Sequence, residues 1–118
     1  MTSKKHGPGY IYLVHAMDTP YYKIGHATNV ARRLWQINNV SPYQCVLLHA
    51  MPIDCQTEGE YIWHNIFKST RAKGEWFALT KTQIALFCAC FGGSINALHY
   101  QIYRDNQPLF LAVMDESK

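Results

Sequence analysis

No apolar run in this 118-residue chain is long enough to cross a bilayer, and the polar opening Met1 to Pro8 lacks the apolar stretch of a signal peptide. Neither secretion nor membrane insertion is expected, and the expected location is the cytoplasm. The four cysteines, Cys45, Cys55, Cys88 and Cys90, contain no C-x-x-C pair and no zinc-finger spacing. Each lies in an apolar or helical stretch, so they read as reduced core thiols rather than disulfides or zinc ligands. His15, His26, His49 and His99 show no ligand-like spacing and are assigned no metal role. Charge is scarce as well: a formal net charge of +3 permits nucleic-acid binding without establishing it. The modest charge, with 14% aromatic residues, excludes a disordered polycation. There is no internal repeat, linker or low-complexity segment. One domain is therefore expected over residues 1–118, with a core at about 10–91 and a C-terminal extension at 94–118.

What is present is a series of short, well-punctuated elements. Tyr10 to Ala16 is an apolar run that ends in Met17-Asp18-Thr19-Pro20, and Tyr21 to Gly25 forms a second run, so the pair reads as a β-hairpin with a polar loop. Thr28 or Asn29 caps a helix over roughly Val30 to Asn39, with Val30, Leu34 and Ile37 on one face. Ser41-Pro42 ends it, and Gln44 to Met51 reads as a third strand bounded by Pro42 and Pro52. Asp54 or Thr57 caps the next helix, which runs to about Lys68 and carries Glu60 and His64 four residues apart on one face. A basic loop, Lys68 to Lys73, leads to the short aromatic segment Gly74-Glu75-Trp76-Phe77. Thr80 caps a third helix, Lys81 to Phe91, stopped by Gly92-Gly93.

The tail fits two periods. Leu98, Tyr100 and Ile102 alternate as in a strand, yet Ser94 also suits the cap of a helix with Ile95, Leu98 and Ile102 on one side. The favoured reading is a hairpin, Leu98 to Tyr103 and Leu109 to Met114, turning through Asp105-Asn106-Gln107-Pro108. The expected fold class is α/β (α+β): a small, mainly antiparallel three-stranded sheet flanked by helices, with a C-terminal hairpin or helix-strand extension.

Tyr10-Ile11-Tyr12, Lys23-Ile24-Gly25, Arg33, Glu60-x-x-x-His64-x-x-Phe67 and Gly74-Glu75-Trp76-Phe77 follow one another in an order that resembles the GIY-YIG nucleases. The likeness is to small phage and bacterial members whose second motif reads Lys-Ile-Gly, and it covers about Tyr10 to Leu79. It implies a Mg²⁺- or Mn²⁺-dependent endonuclease that hydrolyses DNA, duplex or branched, leaving a 5′ phosphate and a 3′ hydroxyl. Such chemistry needs a base for water, a cation on the phosphoryl oxygens and help for the departing oxygen. By the resemblance, Tyr12 is the phenol near the attacking water, Arg33 the cation on the phosphate and Glu60 the single metal ligand, with Tyr10 and His64 as further site residues. A hard cation held by one carboxylate, water and phosphate suits Mg²⁺.

Lys23 stands where many relatives carry a tyrosine. It acts as a base only if its pKa falls far below the usual ~10.4, and otherwise as a phosphate clamp. Tyr22 does not replace it, because the neighbouring residue on a strand faces the other side. Many relatives place a histidine or tyrosine just after the arginine, where this chain has Trp35, Gln36, Ile37 and Asn38; for the late asparagine of some members, Asn65 and Asn96 are both candidates.

Read without the family, each residue has a plainer role. Tyr10 and Tyr12 become core aromatics, Arg32 and Arg33 solvated helix residues, and Glu60 a surface partner of His64, with Glu58 as the fallback ligand if the helix register differs. Trp76 reads as core and Glu75 as its edge. Lys68, Arg71 and Lys73, with Arg32, are the candidates for DNA-backbone contact. Two other classes of function stay open: a non-catalytic nucleic-acid-binding module of the same fold, and a regulatory protein whose tail Leu98 to Met114 forms a homodimer.

Overall fold

The computed structural model describes residues 7–118, so the polar opening up to His6 lies outside the described residues. The expected hairpin consists of β1 (Gly9–Ala16) and β2 (Tyr22–Ala27), antiparallel, with Tyr12 opposite Gly25 and Val14 opposite Lys23. Its loop is closed by Thr19, whose hydroxyl donates to the Ala16 carbonyl at 2.7 Å and accepts from the Tyr21 N–H at 3.1 Å. β3 (Cys45–Ile53) pairs with the other side of β1 and runs past Pro52, the expected boundary. Proline is tolerated there because β3 is an edge strand, where a missing N–H costs no ladder bond.

The sheet has five strands rather than three. β4 (Arg71–Lys73) and β5 (Trp76–Phe77) form a tight hairpin on β2, giving the order β3-β1-β2-β5-β4 with every pair antiparallel. The basic loop of the sequence reading is thus partly strand, preceded by a single 3₁₀ turn at Lys68–Thr70. Its pattern hid it: Arg71, Ala72 and Lys73 are all exposed, so no apolar alternation marks β4. Gly74 makes the turn in the left-handed region, at φ 59°, where residues with a Cβ are strained.

The period of two along β1 sorts the core into two layers. Ile11 and Leu13 point to one face, where α2 (Gln56–Ile66) and α3 (Lys81–Ala89) bury Trp63, Phe67, Leu86 and Phe87. Tyr12, Val14 and Ala16 point to the other, covered by α1 (Val30–Val40) through Val30, Leu34 and Ile37. Asn29 caps α1, and Thr80 with Gln83 forms a capping box on α3. On α2 the cap position falls on Cys55, whose side chain makes no capping bond to the helix backbone; Asp54 instead accepts the N–H of Ile95 at 3.1 Å.

The favoured tail hairpin does not form. The tail is helical throughout: α4 (Ile95–Tyr100), a π-helical turn at Gln101–Asp105, and α5 (Gln107–Glu116). Ser94 caps α4, and Pro108 sits in the first turn of α5, where its missing N–H is no loss. Leu98, Ile102 and Val113 are fully buried in the same core as α2 and α3. Burial of Leu98 and Ile102 four apart on one helical face outweighs the strand-like alternation. All four cysteines are free; Cys45 and Cys90 are buried, but Cys88 is exposed on a helix that is apolar beyond the face it packs. Among the described residues no helix is long and apolar enough to cross a membrane.

Candidate functional site

β5 pairs with β2 only at Tyr22 and Lys23, and one more backbone bond joins the Ile24 N–H to the Glu75 carbonyl at 3.1 Å. Beyond that point the outer edge of β2 has no strand partner among the described residues, and its carbonyls need donors from elsewhere. His64 on α2 donates from Nε2 to the Ile24 carbonyl at 2.8 Å. Arg33 on α1 donates to the His26 carbonyl at 3.1 Å. The gap thus draws together side chains from helices on opposite faces of the sheet.

Gly25 lies at the centre of this meeting point. It faces Tyr12 across the ladder, and a Cβ there would collide with both the Tyr12 hydroxyl and Glu75 Oε1. Tyr12 is fully buried, and its hydroxyl has no hydrogen-bond partner among the described residues, although the Arg33 guanidinium lies beside it. Burial pushes its pKa up to about 12 against the pull of Arg33, so the phenol stays protonated in the neutral range. Lys23 holds its ammonium 3.9 Å from Glu75 Oε1 and 5.4 Å from the centre of the Trp76 ring, an ion pair on one side and a cation–π contact on the other.

Glu60 sits between two imidazoles, 3.2 Å from His26 Nε2 and 3.4 Å from His64 Nε2. Its carboxyl is pushed up to about 7, first by burial and then by the Glu75 charge, with Lys23, Arg33 and Arg71 pulling the other way. Burial also lowers the pKa of His64, in keeping with a neutral ring whose Nε2–H is given to Ile24. The tautomer of His26 follows from buried Gln56. The Gln56 amide nitrogen donates to the Pro8 carbonyl at 2.9 Å and to the Thr28 hydroxyl at 3.3 Å, so its oxygen faces His26 Nδ1 at 3.0 Å. Nδ1 therefore carries a proton, and Nε2 is left to face Glu60. A cleft of about 550 Å³ opens over this group, lined by His26, Glu60, Tyr61, His64, Lys68 and Arg71.

Tyr12, Lys23, Arg33, Glu60 and His64 are thus brought together, with Lys68 and Arg71 on the rim of the cleft. Tyr10 is not: it is 40% exposed and lines a separate hollow with Pro8 and Thr28. Arg32 is exposed on α1, and Lys73 borders a different groove. Glu58, the fallback ligand, is exposed. Three members of the group were not anticipated from the sequence: Glu75, His26 and Gln56. For His26 a signal existed, because period two on β2 places Ile24 and His26 on the face toward α2, where Glu60 and His64 point back.

The donors suited to a metal here are carboxylate oxygens, of Glu60 first and Glu75 beside it. Among the described residues no group of three or more His, Cys, Asp or Glu side chains is arranged to hold an ion. That donor set fits a hard cation that keeps most of its water, and a divalent charge would offset the burial and like-charge repulsion that oppose ionisation of Glu60.

In comparison with known proteins, no curated protein and no solved structure matches the chain. A family model described as the T5orf172 domain matches residues 9–91, the span that holds every element of the cluster. With well over half of its length matched, the chain belongs to the T5orf172 domain family, a family of nuclease-like or DNA-binding modules.

Proposed function

We propose that this protein is a metal-dependent endonuclease of the GIY-YIG type acting on DNA. The observation that carries this reading is the convergence around Gly25 of Tyr12, Lys23, Arg33 and Glu60, from two strands and two helices. Arg33 uses one of its five guanidinium N–H groups on the His26 carbonyl and turns the others to the phosphoryl oxygens. Lys23, held by Glu75 and Trp76, clamps the phosphate rather than serving as a base. Tyr12, protonated in the neutral range, has its buried hydroxyl beside the Arg33 guanidinium and acts on the phosphate by positioning that cation. His26, with Nδ1–H fixed by Gln56, presents Nε2 as the acceptor for a proton from water. Glu60 would hold the Mg²⁺ or Mn²⁺, which would supply positive charge to stabilise the departing 3′ oxygen. Lys68 and Arg71 line the path of the backbone, so affinity should fall steeply with salt.

Nicking of supercoiled plasmid with Mg²⁺ or Mn²⁺ tests the proposal. Wild type is expected to nick; Arg33→Ala and Glu60→Ala are each expected to lose on the order of a hundredfold or more in rate, and Tyr12→Phe and His26→Ala less. Binding without cleavage by the wild type on duplex, branched and single-stranded DNA would favour a non-catalytic binding module instead. Cleavage unaffected by Glu60→Ala would remove the metal assignment.

A further inference from the structure

On the α1 side of the sheet, next to the cluster but outside it, lies a second groove of about 600 Å³. It runs between the C-terminal end of α1, the β1–β2 loop and the β4–β5 hairpin, and its walls are Tyr21, Tyr43, Trp76 and Ile37 with Lys23 and Lys73 at the rim. Tyr21 is 44% and Tyr43 52% exposed, so both rings are presented to solvent, and no acidic side chain lines the groove. Its size falls within the range of sites that enclose a small ligand. Two residues tie it to the cluster: Lys23 and Trp76, whose ring lies 5.4 Å from the Lys23 ammonium.

Aromatic faces between cations suit one chemistry in particular. An unpaired nucleotide offers a base face for stacking and a phosphate for an ammonium, whereas a duplex keeps its base faces stacked on one another. We infer that this groove takes unpaired nucleotides of the DNA strand that continues past the scissile phosphate, with bases on Tyr21 and Tyr43, a phosphate on Lys73, and Lys23 where the groove meets the scissile phosphate. The substrate class is then DNA carrying a single-stranded flap or gap beside the cleavage point. The position of the scissile phosphate rests on the nuclease reading; the base-binding groove itself does not.

The test is fluorescence anisotropy in EDTA, comparing a flapped duplex with a blunt duplex of the same sequence, together with 2-aminopurine placed in the flap. Wild type is expected to bind the flapped DNA about tenfold more tightly and to quench the 2-aminopurine. Tyr21→Ala/Tyr43→Ala should lose that preference and the quenching while keeping its affinity for blunt duplex. Should that double variant fail to fold, Lys73→Gln, which is exposed, is expected to weaken flapped binding more than blunt. Equal affinity of wild type for the two DNAs, or unquenched 2-aminopurine, would overturn the inference. Plasmid nicking without flap preference would leave the nuclease reading standing and the groove refuted; flap preference without cleavage of any DNA would do the reverse.

Discussion

At Glu60, burial and the Glu75 carboxylate oppose ionisation more strongly than Lys23, Arg33 and Arg71 favour it. Its pKa rises from 4.5 to about 7, so between those values the folded protein holds a proton that the unfolded chain releases. Stability therefore falls as pH rises through this window and stays lower above it, by on the order of 3 kcal/mol. Glu60→Gln keeps the shape and cannot ionise. It is expected to melt well above wild type at pH 8 in metal-free buffer, with the gap closing toward pH 4; melting curves with the same gap at both pH values would contradict the burial argument. At this scale Tyr12, Arg33, Glu60 and His64 were singled out by the order of motifs that resembles the GIY-YIG nucleases; their spacing alone left them as a core aromatic, a solvated arginine and a surface pair. Glu75 was not legible as a member of the cluster, since its carboxylate reaches Gly25 only after the β4–β5 hairpin has folded onto β2. Gln56 was hidden for a related reason: its side chain joins Pro8, ahead of β1, to His26 and Thr28 at the end of β2, residues far from it in sequence.

Among the elements, the hairpin, α1, α3 and their caps could be read from periodicity and capping residues alone. The tail could not, because Leu98 and Ile102 satisfy both a period of two and a spacing of four, and only the core beneath α4 decides between them. Gln101 shows what the helical choice gains. It is buried, accepts from the Phe91 and Gly92 N–H groups at 2.8 and 3.0 Å, and donates to the Gly92 carbonyl at 2.8 Å. These three bonds satisfy the backbone of a turn in which Gly92 adopts φ 76° and a Cβ would strike the Pro52 carbonyl. Gln101→Leu, close in volume, leaves those groups unpaired and is expected to cost roughly 3 kcal/mol, read as a lower midpoint in urea with an unchanged slope. A loss of only a few tenths would mean that the turn finds other partners.

For the molecule as a whole, the family match ends at residue 91, but the core does not. Leu98, Ile102 and Val113 complete the layer that covers Leu86, Phe87 and Cys90. Truncation after Gly93 is expected to abolish cooperative thermal unfolding, followed by circular dichroism; a truncated chain with a sharp, wild-type-like transition would show the tail to be an appendage. Any dimer built by the tail would have to use what this packing leaves outside, namely Tyr100, Tyr103 and Leu111. Finally, the hydrogen bonds that His64 and Arg33 make to the unpartnered carbonyls of β2 do more than aim two side chains. They occlude the stretch of backbone where another molecule's strand would add on, so the shape of the cluster and colloidal behaviour rest on the same two residues. Removing either one opens a template for aggregation along with the site. Under the proposed function, a variant for trapping DNA is therefore better made at Glu60, whose side chain makes neither of those two bonds.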